Sequence, residues 1–139
     1  MLNDIPLVCG GLDDQQCHQI EKDTITTFTS HLKSKRWFAA TTPKLQSLWV
    51  TGGFNLSDGS LKSTEVIQRD GTIVAGPDLP VAVDGHSMTE VKKDELYLLI
   101  GGRSDVETSK STYFYNVSND KWKNGPDLKE ARRYHTRVS

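Results

Sequence analysis

Four histidines and two cysteines are the side chains of this 139-residue chain best suited to bind a metal or move a proton. Their spacing points elsewhere. His86 and His135 lie 49 residues apart and occupy the same place in a repeated stretch. A group delivered once per repeat serves the repeat itself, for instance by bonding a neighbouring backbone, since buried polar groups normally find such partners. His18 and His31 have no ligands spaced beside them. The C-x-x-C, H-E-x-x-H and G-x-S-x-G patterns do not occur. Neither glycine pair of the repeat leads into a helix whose N-terminus could hold phosphate. No catalytic residue, cofactor or metal is expected.

Cys9 and Cys17 flank Gly10–Gln16, a segment with the look of a hairpin loop. A turn centred near Asp13 would set them opposite each other, within disulfide reach. The other reading is two small buried hydrophobes in a reducing cytosol. Two sequons, Asn55-Leu56-Ser57 and Asn116-Val117-Ser118, point outward to secretion. The N-terminus has neither a basic start nor an adequate apolar stretch for a secretory signal. The expected location is the cytoplasm, with an extracellular one if the chain belongs to a longer secreted protein.

The elements that must position these groups repeat. Gly52-Gly53 returns as Gly101-Gly102, and Gly76-Pro77-Asp78-Leu79 as Gly125-Pro126-Asp127-Leu128, each 49 residues on and without a gap. A period near 50 marks a propeller or a related array. A short apolar run precedes each glycine pair: Leu7–Cys9, Leu48–Val50 and Tyr97–Ile100. Such runs suit buried strands. Polar loops follow (Phe54–Lys62, Arg103–Ser111), then strands at Ser63–Ile67 and Thr112–Val117. Tight turns at Arg69–Gly71 and Ser118–Asp120 lead to Thr72–Ala75 and Lys121–Asn124. A last strand begins near Gly85 or Tyr134. No helix competes.

Gly10-Gly11 opens a degenerate copy, with strands at Cys17–Ile20 and Thr24–Phe28. The expected fold is all-β: an incomplete propeller of four-stranded antiparallel blades. Residues 1–31 would hold three strands of one blade, 32–79 and 80–128 a blade each, and 129–139 the first strand of another. Three blade-equivalents fit a fragment of a longer protein, or half of a ring closed by a second copy head to tail.

At Gly101-Gly102, Tyr115, Trp122 and Arg132 the chain resembles the kelch-repeat family, whose unit has a glycine pair, a Tyr, a Trp seven residues later and an Arg ten beyond that. The middle copy has Val66, Ile73 and Val83 at the last three places; the first has Arg36. The resemblance implies that Tyr115 and Trp122 pack one blade on the next. Some kelch-type propellers are enzymes, including a copper oxidase, whose tyrosine-cysteine and two-histidine set has no match around Cys9 and Cys17. Kelch adaptors of ubiquitin ligases carry further domains that also have no match.

A net charge of −1 leaves no electrostatic footprint for nucleic acid or membrane. The expected function is non-enzymatic binding of a protein or peptide partner. In an up-and-down blade the loop after Gly-Gly and the Gly-Pro-Asp-Leu loop emerge on one face. That face would collect Asn55, Ser57, Asp58, Arg103, Ser104, Asp105, Lys129, Arg132 and Arg133. Its arginines could hold acidic side chains. The alternatives are a fragment of a kelch-type enzyme, or a structural fragment without activity of its own.

Overall fold

Strands account for all the regular structure in the computed structural model, which describes residues 5–10 and 14–135. The first sheet holds β1 (Leu7–Cys9), β2 (Gln16–Glu21) and β3 (Thr24–His31). The second comprises β4 (Ala40–Lys44), β5 (Ser47–Thr51), β8 (Thr64–Ile67) and β9 (Ile73–Ala75), with a small hairpin, β6 (Phe54–Asn55) and β7 (Gly59–Ser60), inserted after β5. The third is β10 (Ser87–Lys92), β11 (Leu96–Ile100), β12 (Thr112–Asn116) and β13 (Lys121–Asn124). Neighbours in each sheet are antiparallel and successive in the chain, apart from that inserted hairpin. Gly11 and residues 136–139 lie outside the described residues.

β5 explains why the sheets stack. Successive strand side chains point to opposite faces, so Leu48 and Val50 enter one core with Cys17, Leu32 and Ile67, against the first sheet. Trp49 enters the other, with Leu79, Val83, Met88, Tyr97, Leu99 and Tyr115, against the third. A strand buried on both faces needs a continuous apolar run, and Leu48-Trp49-Val50 supplies it. Trp49 is the hub of the larger core. It is fully buried, with ring centroids 5.7 Å from Tyr97, 5.1 Å from Tyr115 and 6.1 Å from Trp122. Trp122 is only partly buried: it packs on the flank of this cluster and donates its indole N–H to the Asp78 carbonyl at 3.0 Å. Tyr115 is buried in this core and Trp122 packs on its flank, while Trp49, which holds no place in the repeat motif, sits at its centre.

The glycine pairs are explained by backbone proximity. Gly53 N–H donates to the Val83 carbonyl at 2.9 Å, and Gly102 N–H to the Arg132 carbonyl at 2.7 Å. A Cβ on Gly52 would stand 2.4 Å from Val83 O, and one on Gly101 2.5 Å from Arg132 O. All four glycines have φ between 56° and 101°, where L side chains are strained.

The ungapped 49-residue period conceals two compensating changes in length. Gly52 N–H reaches Ser63 O, whereas Gly101 N–H reaches Ser111 O, so the loop is one residue longer in the second sheet. The next hairpin is one residue shorter: Ile67 pairs with Ile73, and Tyr115 with Trp122. The structural counterpart of Tyr115 is thus Ile67, not Val66. Ile67 lies opposite Leu48 as Tyr115 lies opposite Tyr97. A one-residue slip turns a side chain to the other face of the sheet.

Cys9 and Cys17 are direct partners in the β1–β2 register and form a disulfide, their Cα atoms 4.1 Å apart. This decides between the two readings of the pair.

Truncating Trp49 to alanine should cost about 3–5 kcal/mol, the range for large buried aromatics. Trp122→Ala should cost clearly less, and Asp58→Ala, in an exposed turn, no more than about 0.5 kcal/mol. Denaturant midpoints of the three variants give this order; a Trp122→Ala loss equal to that of Trp49→Ala would contradict it.

Candidate functional site

The loops leaving the glycine-pair ends of β5 and β11 are stitched to the returning Gly-Pro-Asp-Leu loops. Leu79 N–H donates to Lys62 O and Val83 N–H to Leu61 O; Leu128 N–H donates to Lys110 O and Arg132 N–H to Ser109 O. Thr64 and Thr112 hydroxyls donate to the Pro77 and Pro126 carbonyls. Both loop types therefore lie on one face, as the alternation of strand direction requires.

A backbone ladder also crosses from repeat to repeat on this face. Trp37 and Phe54 exchange two backbone hydrogen bonds, and so do Asp84 and Arg103. Just ahead of β4 and β10, Gly85 N–H donates to Phe38 O and Tyr134 N–H to Gly85 O. Phe38, Gly85 and Tyr134 share positive φ (54°, 62° and 51°). The Phe38 and Tyr134 rings meet at 4.8 Å, both about half exposed. A Cβ on Gly85 would stand 2.6 Å from the Tyr134 ring, so a larger residue there would push that ring aside.

The sequence-predicted residues divide into three groups. Arg103, Ser104 and Asp105 are occupied in holding the loops. The Arg103 guanidinium makes two 3.3 Å contacts to the fully buried Asp84 carboxylate. That carboxylate also accepts from Ser60 Oγ at 3.1 Å and Tyr134 OH at 3.3 Å. Asp105 accepts from Ser60 N–H at 2.7 Å, and Ser104 bonds within its own loop to Glu107. Asn55, Ser57 and Asp58 instead line a cleft of about 390 Å³ with Lys33, Lys35 and Trp37. Within it Asn55 is buried, donating to Lys35 O and accepting from Asp58 N–H, while Ser57 and Asp58 are exposed. The third group, Lys129, Arg132 and Arg133, is exposed at the far end. Arg133 lies over the Tyr134 ring at 5.4 Å.

Four contributors were not legible in the sequence. Asp84 falls where the other repeats have Trp37 and Arg133, so no pattern marks it. Lys33 and Lys35 sit in a segment without a motif. Arg36 fits the glycine-pair and arginine spacing, but its partner Glu65 has no charged counterpart. The two form a buried 2.9 Å ion pair, and Arg36 also donates to the Gly52 and Ser63 carbonyls. This pins the return loop of the first sheet onto the second.

The paired histidines bond hydroxyls rather than backbone. His86 Nε2 lies 2.8 Å from Thr51 Oγ1 and His135 Nε2 2.9 Å from Ser87 Oγ. Burial, with nearby His135 adding to it, pushes the His86 imidazole from 6.5 down to about 3. Among the described residues no group of three or more His, Cys, Asp or Glu is placed to hold a metal ion. No protein-family model matches the chain, and no curated protein matches it in sequence.

Because the folded His86 titrates below its unfolded value, the unfolded chain binds more protons between about pH 3 and 6.5. The stability from keeping it neutral is full above pH 6.5 and declines as pH falls through that window. The native protein should lose about 2 kcal/mol between pH 7 and pH 5 through this group. His86→Asn should flatten the dependence; denaturant midpoints at the two pH values measure it, and an unchanged slope would place the titration elsewhere.

Proposed function

We propose that the three sheets are blades of a kelch-type β-propeller, and that the chain is a non-enzymatic interaction module whose stitched loop face binds a protein or peptide partner. The observation that carries this reading is the double hydrogen-bonded lacing of each glycine-pair loop to its Gly-Pro-Asp-Leu loop. It turns two flexible connections per repeat into a stiff rim, and recognition concentrates on loops held by a rigid scaffold. Glycine pairs, Tyr115, Trp122 and the 49-residue period support the kelch assignment.

The rim offers acidic segments Lys33 and Lys35 at the cleft and Arg132 and Arg133 at the far end. Arginine can grip carboxylates bidentately. Affinity capture with the native chain should return a saturable partner, and both Arg132→Ala/Arg133→Ala and a cleft-filling Ser57→Trp should weaken it. A partner equally bound by both variants would exclude the rim.

A second reading concerns assembly, and it rests on a groove. Among the described residues the first sheet has three strands where the second and third have four, and none pairs with the outer edge of β1. There an apolar groove of about 570 Å³ is lined by Leu7, Cys9, Leu32, Phe38, Leu48 and Val50. It corresponds to the position of β4 beside β5 and of β10 beside β11. By the 49-residue period, Thr136–Ser139, which lie outside the described residues, correspond in sequence to Ser87–Glu90, where β10 begins. A second copy joined head to tail would supply this strand by adding to the exposed edge. Light scattering should then give twice the 15.5 kDa chain mass, falling to the monomer in Val138→Pro. A native monomer would overturn the head-to-tail pairing.

A further inference from the structure

The two sequons differ in the folded chain, and the disulfide gives that difference a context. Asn55 is 8% exposed. Its side-chain amide donates to Lys35 O at 3.2 Å and its carbonyl oxygen accepts from Asp58 N–H at 2.7 Å. A sugar on that nitrogen would take one of its two N–H groups and would have to displace the neighbouring segment around Lys35. Asn116 is the opposite case. It ends β12 at the turn into β13 and is exposed. Only its carbonyl oxygen is engaged, accepting from Ser118 N–H at 3.0 Å and Ser118 Oγ at 2.7 Å. Its amide nitrogen donates to nothing among the described residues.

The turn also lies at the end of the sheets away from the glycine pairs. β12 starts beside Gly101 and runs antiparallel to β11, pairing Thr112 with Ile100 and Asn116 with Leu96. A glycan there would project from the face opposite the loop rim, whereas one on Asn55 would sit within the rim cleft. The second observation is independent of both sequons. Cys9 and Cys17 are bonded across β1 and β2. Small cross-strand disulfides persist in oxidising compartments and are rare in the cytosol. Those compartments in eukaryotes are where Asn-X-Ser sequons are modified.

We propose that this chain matures in an oxidising, glycosylating compartment, and that Asn116 carries an N-linked glycan while Asn55 carries none. The linkage forms between the Asn116 amide nitrogen and the reducing-end carbon of a lipid-linked oligosaccharide. Polyprenyl pyrophosphate leaves, and the nitrogen gives up one proton.

The test expresses the full chain behind a cleavable secretion leader in eukaryotic cells and measures intact mass before and after peptide N-glycosidase. One glycosidase-sensitive increment is expected. It should disappear completely in Asn116→Gln and in Ser118→Ala, and persist unchanged in Asn55→Gln. The Ser118→Ala variant keeps the asparagine, so agreement between the two separates lost modification from lost folding. The secreted protein should also leave no thiol free to alkylation until reduced. An unmodified native chain, an increment surviving Asn116→Gln, or one lost in Asn55→Gln would overturn the assignment, and free thiols on the secreted chain would overturn its redox half.

Discussion

Everything in this molecule depends on one close approach: the carbonyl that ends each return loop reaching the glycine pair that ends a buried strand. Val83 O and Arg132 O come so near Gly52 and Gly101 that a methyl group could not be inserted. The neighbouring glycine then donates its N–H to the same carbonyl. That contact fixes where the chain re-enters the stack after some 30 residues. It thereby sets the starting point of β10, the placement of His86 against Thr51, and the stitching of the rim loops. A larger residue at either glycine would lose several of these together, because they are successive consequences of one geometry.

Stacking is the second constraint, and β5 mediates it. Leu48 and Val50 serve one core while Trp49 serves the other. The larger core gains from edge-on and tilted ring contacts around Trp49, and Lys44 adds its ammonium 4.4 Å above that ring. The smaller core is closed by different means. A disulfide ties β1 to β2, and the buried Arg36–Glu65 pair ties the first return loop to the second sheet. Breaking one partner of such a pair costs far more than the pair itself contributes, since it leaves a buried charge unanswered.

The two faces of the array are physically unlike. On the glycine-pair face, backbone ladders and the Asp84 cluster hold loops rigid and present lysines and arginines. On the opposite face, short hairpin turns are held by local bonds, such as Glu95 N–H to Lys92 O and Ser118 N–H to Asn116 Oδ1, with Leu45 N–H to Asp94 linking one turn to the next sheet. Stiff loops suit recognition, and exposed turns tolerate bulk, which is why the two sequons have such different surroundings.

The main strands, their hairpin turns and the all-β class were written in local chemistry: apolar runs before Gly-Gly, and Asp, Asn and Gly in the hairpins; the β6–β7 hairpin was not, since it lies in Phe54–Lys62, which reads as a polar loop. Side-chain roles were not. Trp122 has a motif position and Trp49 has none, yet Trp49 holds the core, because burial depends on which sheet lies opposite. Val66 and Ile67 cannot be ranked by counting from a glycine pair; only the pairing with β5 decides which faces inward. Of the predicted site, the shared face was legible from strand alternation. That Arg103 is committed to Asp84, while Ser57 borders a cleft with Lys33, was decided by contacts between segments 19 and 24 residues apart in the chain. Periodicity alone determines repetition. The environment of each repeated position is set by what the neighbouring sheet brings against it, and that is a tertiary property.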